Sequence, residues 1–110
     1  MSNIKIFRAN RGEGKTKWLA ERVNECASAG RKLYYVGGEL TFDGLKRVYE
    51  SIYHERCPVK FGIGDDVDRD YCFFTDEFID NTRAIVKFKP FIVEHGCDWY
   101  ITMSKEDFVN

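Results

Sequence analysis

Ala9-Asn10-Arg11-Gly12-Glu13-Gly14-Lys15-Thr16 decides how this chain is read. The stretch has the spacing of a phosphate-binding loop, G-x-x-x-x-G-K-[ST], with alanine at the first position and a further glycine, Gly12, inside the loop. Before it runs Ile4-Lys5-Ile6-Phe7, alternating and β-branched. After it runs Trp18-Leu19-Ala20-Glu21-Arg22-Val23, with Leu19, Val23 and Cys26 on one helical face. Glycines let backbone N–H groups close around phosphate oxygens, and a helix N-terminus adds partial positive charge. In such a loop Lys15 reaches the β- and γ-phosphates and the Thr16 hydroxyl binds a magnesium ion. The candidate nucleotide-binding residues are therefore Asn10, Arg11, Gly12, Glu13, Gly14, Lys15, Thr16 and Lys17. The competing reading is an ordinary glycine-rich strand-to-helix turn.

Outward from the loop, elements alternate. Residues 3–8 read as a strand and 15–29 as a helix closed by Gly30. Lys32–Val36 reads as a second strand stopped by Gly37-Gly38. Thr41 is the expected N-cap of a helix burying Phe42, Leu45, Val48, Tyr49 and Ile52, with Gly44 a local cost of about 1 kcal/mol. The stretch from His54 to Asp70 is loop-like, with Pro58, Gly62, Gly64 and several aspartates. Tyr71–Thr75 reads as a buried strand, and Trp99–Met103 as the last one. Between them, 78–89 fits helix or strand, and Pro90 and Gly96 bracket a short helical turn. Strands alternating with helices imply an α/β fold with a mostly parallel sheet, whose ligands bind beyond the carboxyl ends of the strands.

Tyr71-Cys72-Phe73-Phe74-Thr75-Asp76-Glu77 supplies the second half of a site. A buried strand ending in Asp-Glu brings two carboxylates to the sheet edge that carries Lys15. Asp76 suits a magnesium ion, held through water, and Glu77 suits the base that deprotonates an attacking water. With these two motifs the chain resembles the P-loop NTPase superfamily, in the division with an additional strand and a catalytic glutamate. The resemblance covers most of the chain. It implies a minimal three-layer core, a four-stranded sheet in the order 1-4-3-2, and a polar residue at the end of the last strand that senses the γ-phosphate. Thr102 and Ser104 stand there, with Ser104 preferred. The implied catalytic set is thus Glu77, Lys15 and Ser104, with Thr16 and Asp76 at the metal. His95-Gly96-Cys97-Asp98 before a strand, and Arg-Gly ahead of Gly14-Lys15-Thr16, also look like viral packaging and assembly ATPases. Typical members carry a fifth strand, whereas four are expected here. An arginine finger is not assigned, Arg69 and Arg83 being candidates.

At 110 residues the chain is expected to form a single domain, 1–110, with enough buried surface for one core. A net charge of −1 gives no global attraction to nucleic acid or to anionic membranes. With neither a bilayer-length apolar run nor a signal-like start, the expectation is a cytoplasmic protein without a membrane partner. Four cysteines, at 26, 57, 72 and 97, form no C-x-x-C pair and read as structural thiols, Cys26 and Cys72 as buried ones. Asp66-x-Asp68-x-Asp70 with Glu77 imitates a calcium loop, but Tyr71 occupies the position that requires glycine. Lys87-Phe88-Lys89 reads as a snorkelling surface pair rather than a single-strand nucleic-acid contact.

The leading functional expectation is Mg²⁺-dependent ATP or GTP binding with slow hydrolysis. The alternatives are a nucleoside kinase resembling thymidine kinase, though without that family's cysteine lasso, and a non-hydrolysing nucleotide-gated protein-binding module. A four-stranded order without a fifth strand leaves the loop strand at an edge. Self-association or a protein partner is therefore expected.

Overall fold

The computed structural model describes residues 3–62 and 67–105. Its strands are β1 (Asn3–Ala9), β2 (Lys32–Tyr35), β3 (Tyr71–Thr75) and β4 (Asp98–Ser104); its helices are α1 (Lys15–Ser28), α2 (Glu39–Tyr53) and α3 (Thr82–His95). The sheet order is β1-β4-β3-β2 and all three pairings are parallel. The expected mostly parallel sheet is thus entirely so among the described residues.

Side chains alternate across a strand, and the alternation divides the interior into two apolar layers. On one face Leu33, Tyr35, Cys72 and Phe74 pack with Leu19, Ala20, Val23 and Cys26 of α1 and Leu45 and Tyr49 of α2. On the other, Tyr34, Phe73, Trp99 and Ile101 pack with Ile85 and Ile92 of α3. Helices on both faces make three layers. β3 is buried along its whole length, which is why its sequence runs apolar without alternation. Of the expected buried thiols, Cys26 and Cys72 are both in the core.

Three local readings are corrected. The N-cap of α2 is Gly38, not Thr41, which lies one turn inside the helix with its hydroxyl 3.2 Å from the Gly38 carbonyl. Gly37-Gly38, read from sequence as a strand stop, is thus also the helix start. Ile52 is exposed; Tyr53 closes the buried stripe instead, its ring 4.7 Å from that of Tyr49. Finally, the ambiguous segment and the Pro90–Gly96 turn are one structure, a 3-10 turn over Phe78–Asn81 running into α3, with Pro90 inside the helix. Proline removes the partner of the carbonyl four residues earlier. That residue is Val86, which is 73% exposed.

The two sheet edges differ. β2 is flanked by Lys60, which exchanges 2.9 Å hydrogen bonds with Leu33 and Tyr35. β1 has no strand beyond it among the described residues, and Ile6 is 44% exposed. No helix among the described residues is long and apolar enough to cross a membrane.

Candidate functional site

Because the sheet is parallel, β1, β3 and β4 end at one edge, and their register decides which residues meet there. Ala9 pairs with Ser104, Phe7 with Thr102, and Thr75 with Ile101. Tyr100 packs toward α1, so Thr102 and Ser104, two and four residues on, share its face. Asp76 continues the same α1-facing series after Cys72 and Phe74. Alternation alone therefore delivers one carboxylate and two hydroxyls beneath the first turn of α1, where Lys15 and Thr16 stand.

The loop before α1 is shaped by two left-handed residues, Gly12 at φ 82° and Gly14 at φ 84°. A Cβ at either would touch nothing within 4 Å, so glycine is needed there for backbone conformation and not for space. Ala9, where the pattern has its first glycine, is the last residue of β1 and is paired in the ladder. An extended residue needs no positive φ, so this departure leaves the turn intact. Asn10 donates its N–H to Glu13 Oε1 at 2.5 Å, while Glu13 donates its own to the Asn10 carbonyl at 3.1 Å. Glu13 thus closes the turn with its side chain. Arg11, Gly12, Gly14, Lys15, Thr16 and Lys17 line a cleft of about 390 Å³ together with Val48 and Glu77.

Lys15 is buried to 7% exposure, and its ammonium is held from three strand ends. Nζ donates to the Ala9 carbonyl at 3.4 Å and to Ser104 Oγ at 3.0 Å, and lies 3.2 Å from Glu77 Oε1. Ser104 Oγ in turn lies 3.4 Å from Glu77 Oε2. Thr16 Oγ1 donates to Asp76 Oδ2 at 2.7 Å, and Thr102 Oγ1 donates to Asp76 Oδ1. Asp76 is 4% exposed, so these two hydroxyls offset part of what desolvating a carboxylate costs.

Glu77 reaches Lys15 only through a backbone reversal. Straight continuation of β3 would turn it, like Thr75, toward α3, where Thr75 Oγ1 accepts from Trp99 Nε1 at 3.0 Å. Glu77 instead adopts φ 57° and ψ 74°, left-handed and costing a non-glycine residue about 1–2 kcal/mol. Its N–H donates to Thr102 Oγ1 at 2.9 Å, and its carbonyl accepts from Asn81 Nδ2 at 3.0 Å. Strain held by specific contacts beside a cleft is a common property of functional sites.

Two residues behind the acidic pair carry no motif signal. Tyr35 donates its hydroxyl to Thr41 Oγ1 at 2.6 Å and accepts the Asp76 N–H at 3.1 Å. Burial pushes that hydroxyl well above its ordinary value and keeps it protonated. Asn81 accepts the Gly38 N–H at 2.6 Å and donates to the carbonyls of Asp76 and Glu77. A tyrosine closing a strand and an asparagine in an ambiguous segment are both common in sequences, so neither stood out.

Among the described residues no cluster of three or more His, Cys, Asp or Glu is built to hold a metal by itself. A hydroxyl and one carboxylate, Thr16 and Asp76, instead match the hard oxygen donors that Mg²⁺ takes when substrate phosphates complete its shell. The fit is chemically consistent. Of the arginine candidates, Arg69 precedes the first residue of β3, at the opposite end of the strand from Asp76, whereas Arg83 lines a second cleft of about 370 Å³ with Gly37, Gly38 and Asn81. The calcium-loop reading fails where Tyr71 starts β3; Asp68 caps the preceding turn through the Asp70 N–H at 2.8 Å, and Asp66 and Gly64 lie outside the described residues. Phe88 packs inward, 5.4 Å from the Tyr34 ring, with the Lys87 ammonium over it. No protein-family model matches this chain, and no curated protein matches it in sequence.

Proposed function

We propose that this protein binds ATP or GTP with Mg²⁺ through a P-loop core and hydrolyses it slowly to the diphosphate and phosphate. The observation that carries the reading is the convergence of Lys15 and Thr16 with Asp76, Glu77 and Ser104 at one sheet edge, beside a cleft lined by the glycine-rich loop. Under it, backbone N–H groups of Arg11–Lys17 cradle the phosphates at the head of α1. Lys15 exchanges its present partners for the β- and γ-phosphate oxygens, and Ser104 stays within reach of the γ-phosphate. A magnesium ion held by Thr16 and Asp76 would neutralise charge on the transferring group. Glu77, released from Lys15, accepts a proton from the attacking water. Most of the catalytic demand is positioning and charge neutralisation, which these residues are placed to meet.

Calorimetric titration with ATP and GTP, with and without Mg²⁺, followed by phosphate release, tests this reading. Binding with phosphate release supports it; phosphoryl transfer to a nucleoside favours a kinase, and binding without turnover a nucleotide-gated module. Absence of any triphosphate binding by folded protein overturns all three.

A further inference from the structure

Beneath the carboxylates lies a second layer of polar contacts that couples them to the start of α2. Asn81 is 5% exposed, and both ends of its amide are engaged. Oδ1 accepts the Gly38 N–H at 2.6 Å and lies 3.2 Å from the Thr41 hydroxyl. Nδ2 donates to the carbonyls of Asp76 at 2.6 Å and Glu77 at 3.0 Å. One side chain thus ties the β2–α2 turn to the reversal that aims Glu77.

A second, independent observation fits this. At Gly37 a Cβ would come within 2.6 Å of the Tyr35 ring and 2.9 Å of Asn81 Oδ1. The chain uses its smallest residue there, without any positive φ, so that the β2–α2 turn can lie against the asparagine. Glu77 lacks the freedom of glycine and would leave the left-handed region unless its carbonyl and N–H were held. Thr102 holds the N–H and Asn81 the carbonyl.

We propose that Asn81 is a positioning residue that fixes the backbone reversal at Glu77, and thereby the glutamate's reach to the cleft. The proposal rests on the nucleotide-hydrolysing reading for its consequence, but the clamp itself is a property of the fold. Since the same amide holds Gly38, a displacement of the β2–α2 turn is transmitted directly to the Glu77 carbonyl through the Asn81 side chain. The second cleft, lined by Gly37, Gly38, Asn81 and Arg83, opens directly on that amide.

Asn81→Asp separates the two halves of the clamp. Its carboxylate keeps the acceptor for Gly38 and Thr41 and loses the donors to Asp76 and Glu77. Residue-resolved amide hydrogen exchange is the first measurement. The Glu77 amide should exchange at least about tenfold faster in the variant, while Phe73 and Phe74 in β3 keep their protection. The second measurement is turnover against affinity. Turnover with Mg²⁺-ATP should fall at least about tenfold with the dissociation constant within about threefold, because the loss falls on orientation of the base and not on phosphate contacts. In a Glu77→Gln background, where turnover is already lost, the same change should leave the dissociation constant for Mg²⁺-ATP within about threefold. Unchanged exchange at Glu77 overturns the clamp, as does loss of protection throughout β3. A dissociation constant that weakens beyond about threefold in the Glu77→Gln background overturns action through Glu77. If the wild type binds no nucleotide, the functional reading fails while the exchange experiment still decides the clamp. Asn81→Ser, smaller and neutral, gives the same readouts if the carboxylate prevents folding.

Discussion

Lys15→Ala removes the cation on which the proposed phosphate binding depends, and the structure sets the size of the expected effect. The ammonium holds the hydroxyl of Ser104 at 3.0 Å and the carboxylate of Glu77 at 3.2 Å. A triphosphate must displace both. The first is an ordinary hydrogen bond worth about 1 kcal/mol. The second pairs the lysine with a carboxylate that is 30% exposed, so its net worth is about 1 kcal/mol or less. Reaching the β- and γ-phosphates gains two charge-assisted contacts, about 3–6 kcal/mol gross. The net loss on truncation is then about 1–4 kcal/mol, and the middle of that range corresponds to an affinity for Mg²⁺-ATP weakened by more than about tenfold. Isothermal titration of wild type, Lys15→Ala and Lys15→Met measures it directly. Methionine keeps most of the buried stem, so a matching loss in both variants assigns the effect to the charge rather than to packing. Folded Lys15→Ala protein with unchanged affinity would refute the phosphate-loop reasoning.

Glu77→Gln keeps the shape at the reversal and removes the proposed base; nucleotide affinity should persist while phosphate release stops, and surviving turnover would leave Glu77 an orienting role only. Thr102→Val is nearly isosteric but strips the acceptor of the Glu77 N–H and a donor to Asp76 at a fully buried position. It should cost about 1–3 kcal/mol in urea unfolding, and a loss below about 0.5 kcal/mol would contradict the hydrogen bonds described. Alkaline pH should destabilise the fold. Burial raises the hydroxyls of Tyr35, Tyr49 and Tyr100 above their ordinary 10.0 and the thiols of Cys57 and Cys97 above their ordinary 9.0, so the unfolded chain surrenders these protons first and binds fewer of them. Stability should therefore be full below about pH 9 and fall progressively above it, and a flat urea midpoint between about pH 9 and pH 11 would count against the buried hydroxyls. The outer edge of β1, unpaired among the described residues, should support self-association, seen by light scattering with and without nucleotide, whereas a strict monomer at high concentration would argue for a heterologous partner at that edge.

The sequence by itself determined the elements whose causes are local. Alternation and β-branching at Ile4–Phe7, helical period at Leu19, Val23 and Cys26, and an uninterrupted apolar run at Tyr71–Phe74 each produced the expected element. Gly12 and Gly14 were legible as loop residues, and the structure gives both a left-handed backbone that few other residues tolerate. That Lys15, Thr16, Asp76, Glu77 and Ser104 meet at one sheet edge was legible because a residue at or just after the end of a parallel strand, or at the head of the helix that follows one, lies at that edge. What the sequence left open depended on contacts between distant segments. Pro90 reads as a helix start, whereas α3 carries it in its interior, one turn after the exposed Val86. Thr41 reads as an N-cap until Gly38 takes that place with its N–H on Asn81. Glu77 reads as simply following Asp76, whereas its orientation comes from a reversal held by Thr102 from β4 and Asn81 from the turn before α3. Periodicity and steric preference act within a few residues and are written in the local sequence. A hydrogen bond across 25 or 43 residues is decided only when packing of the sheet brings its partners together.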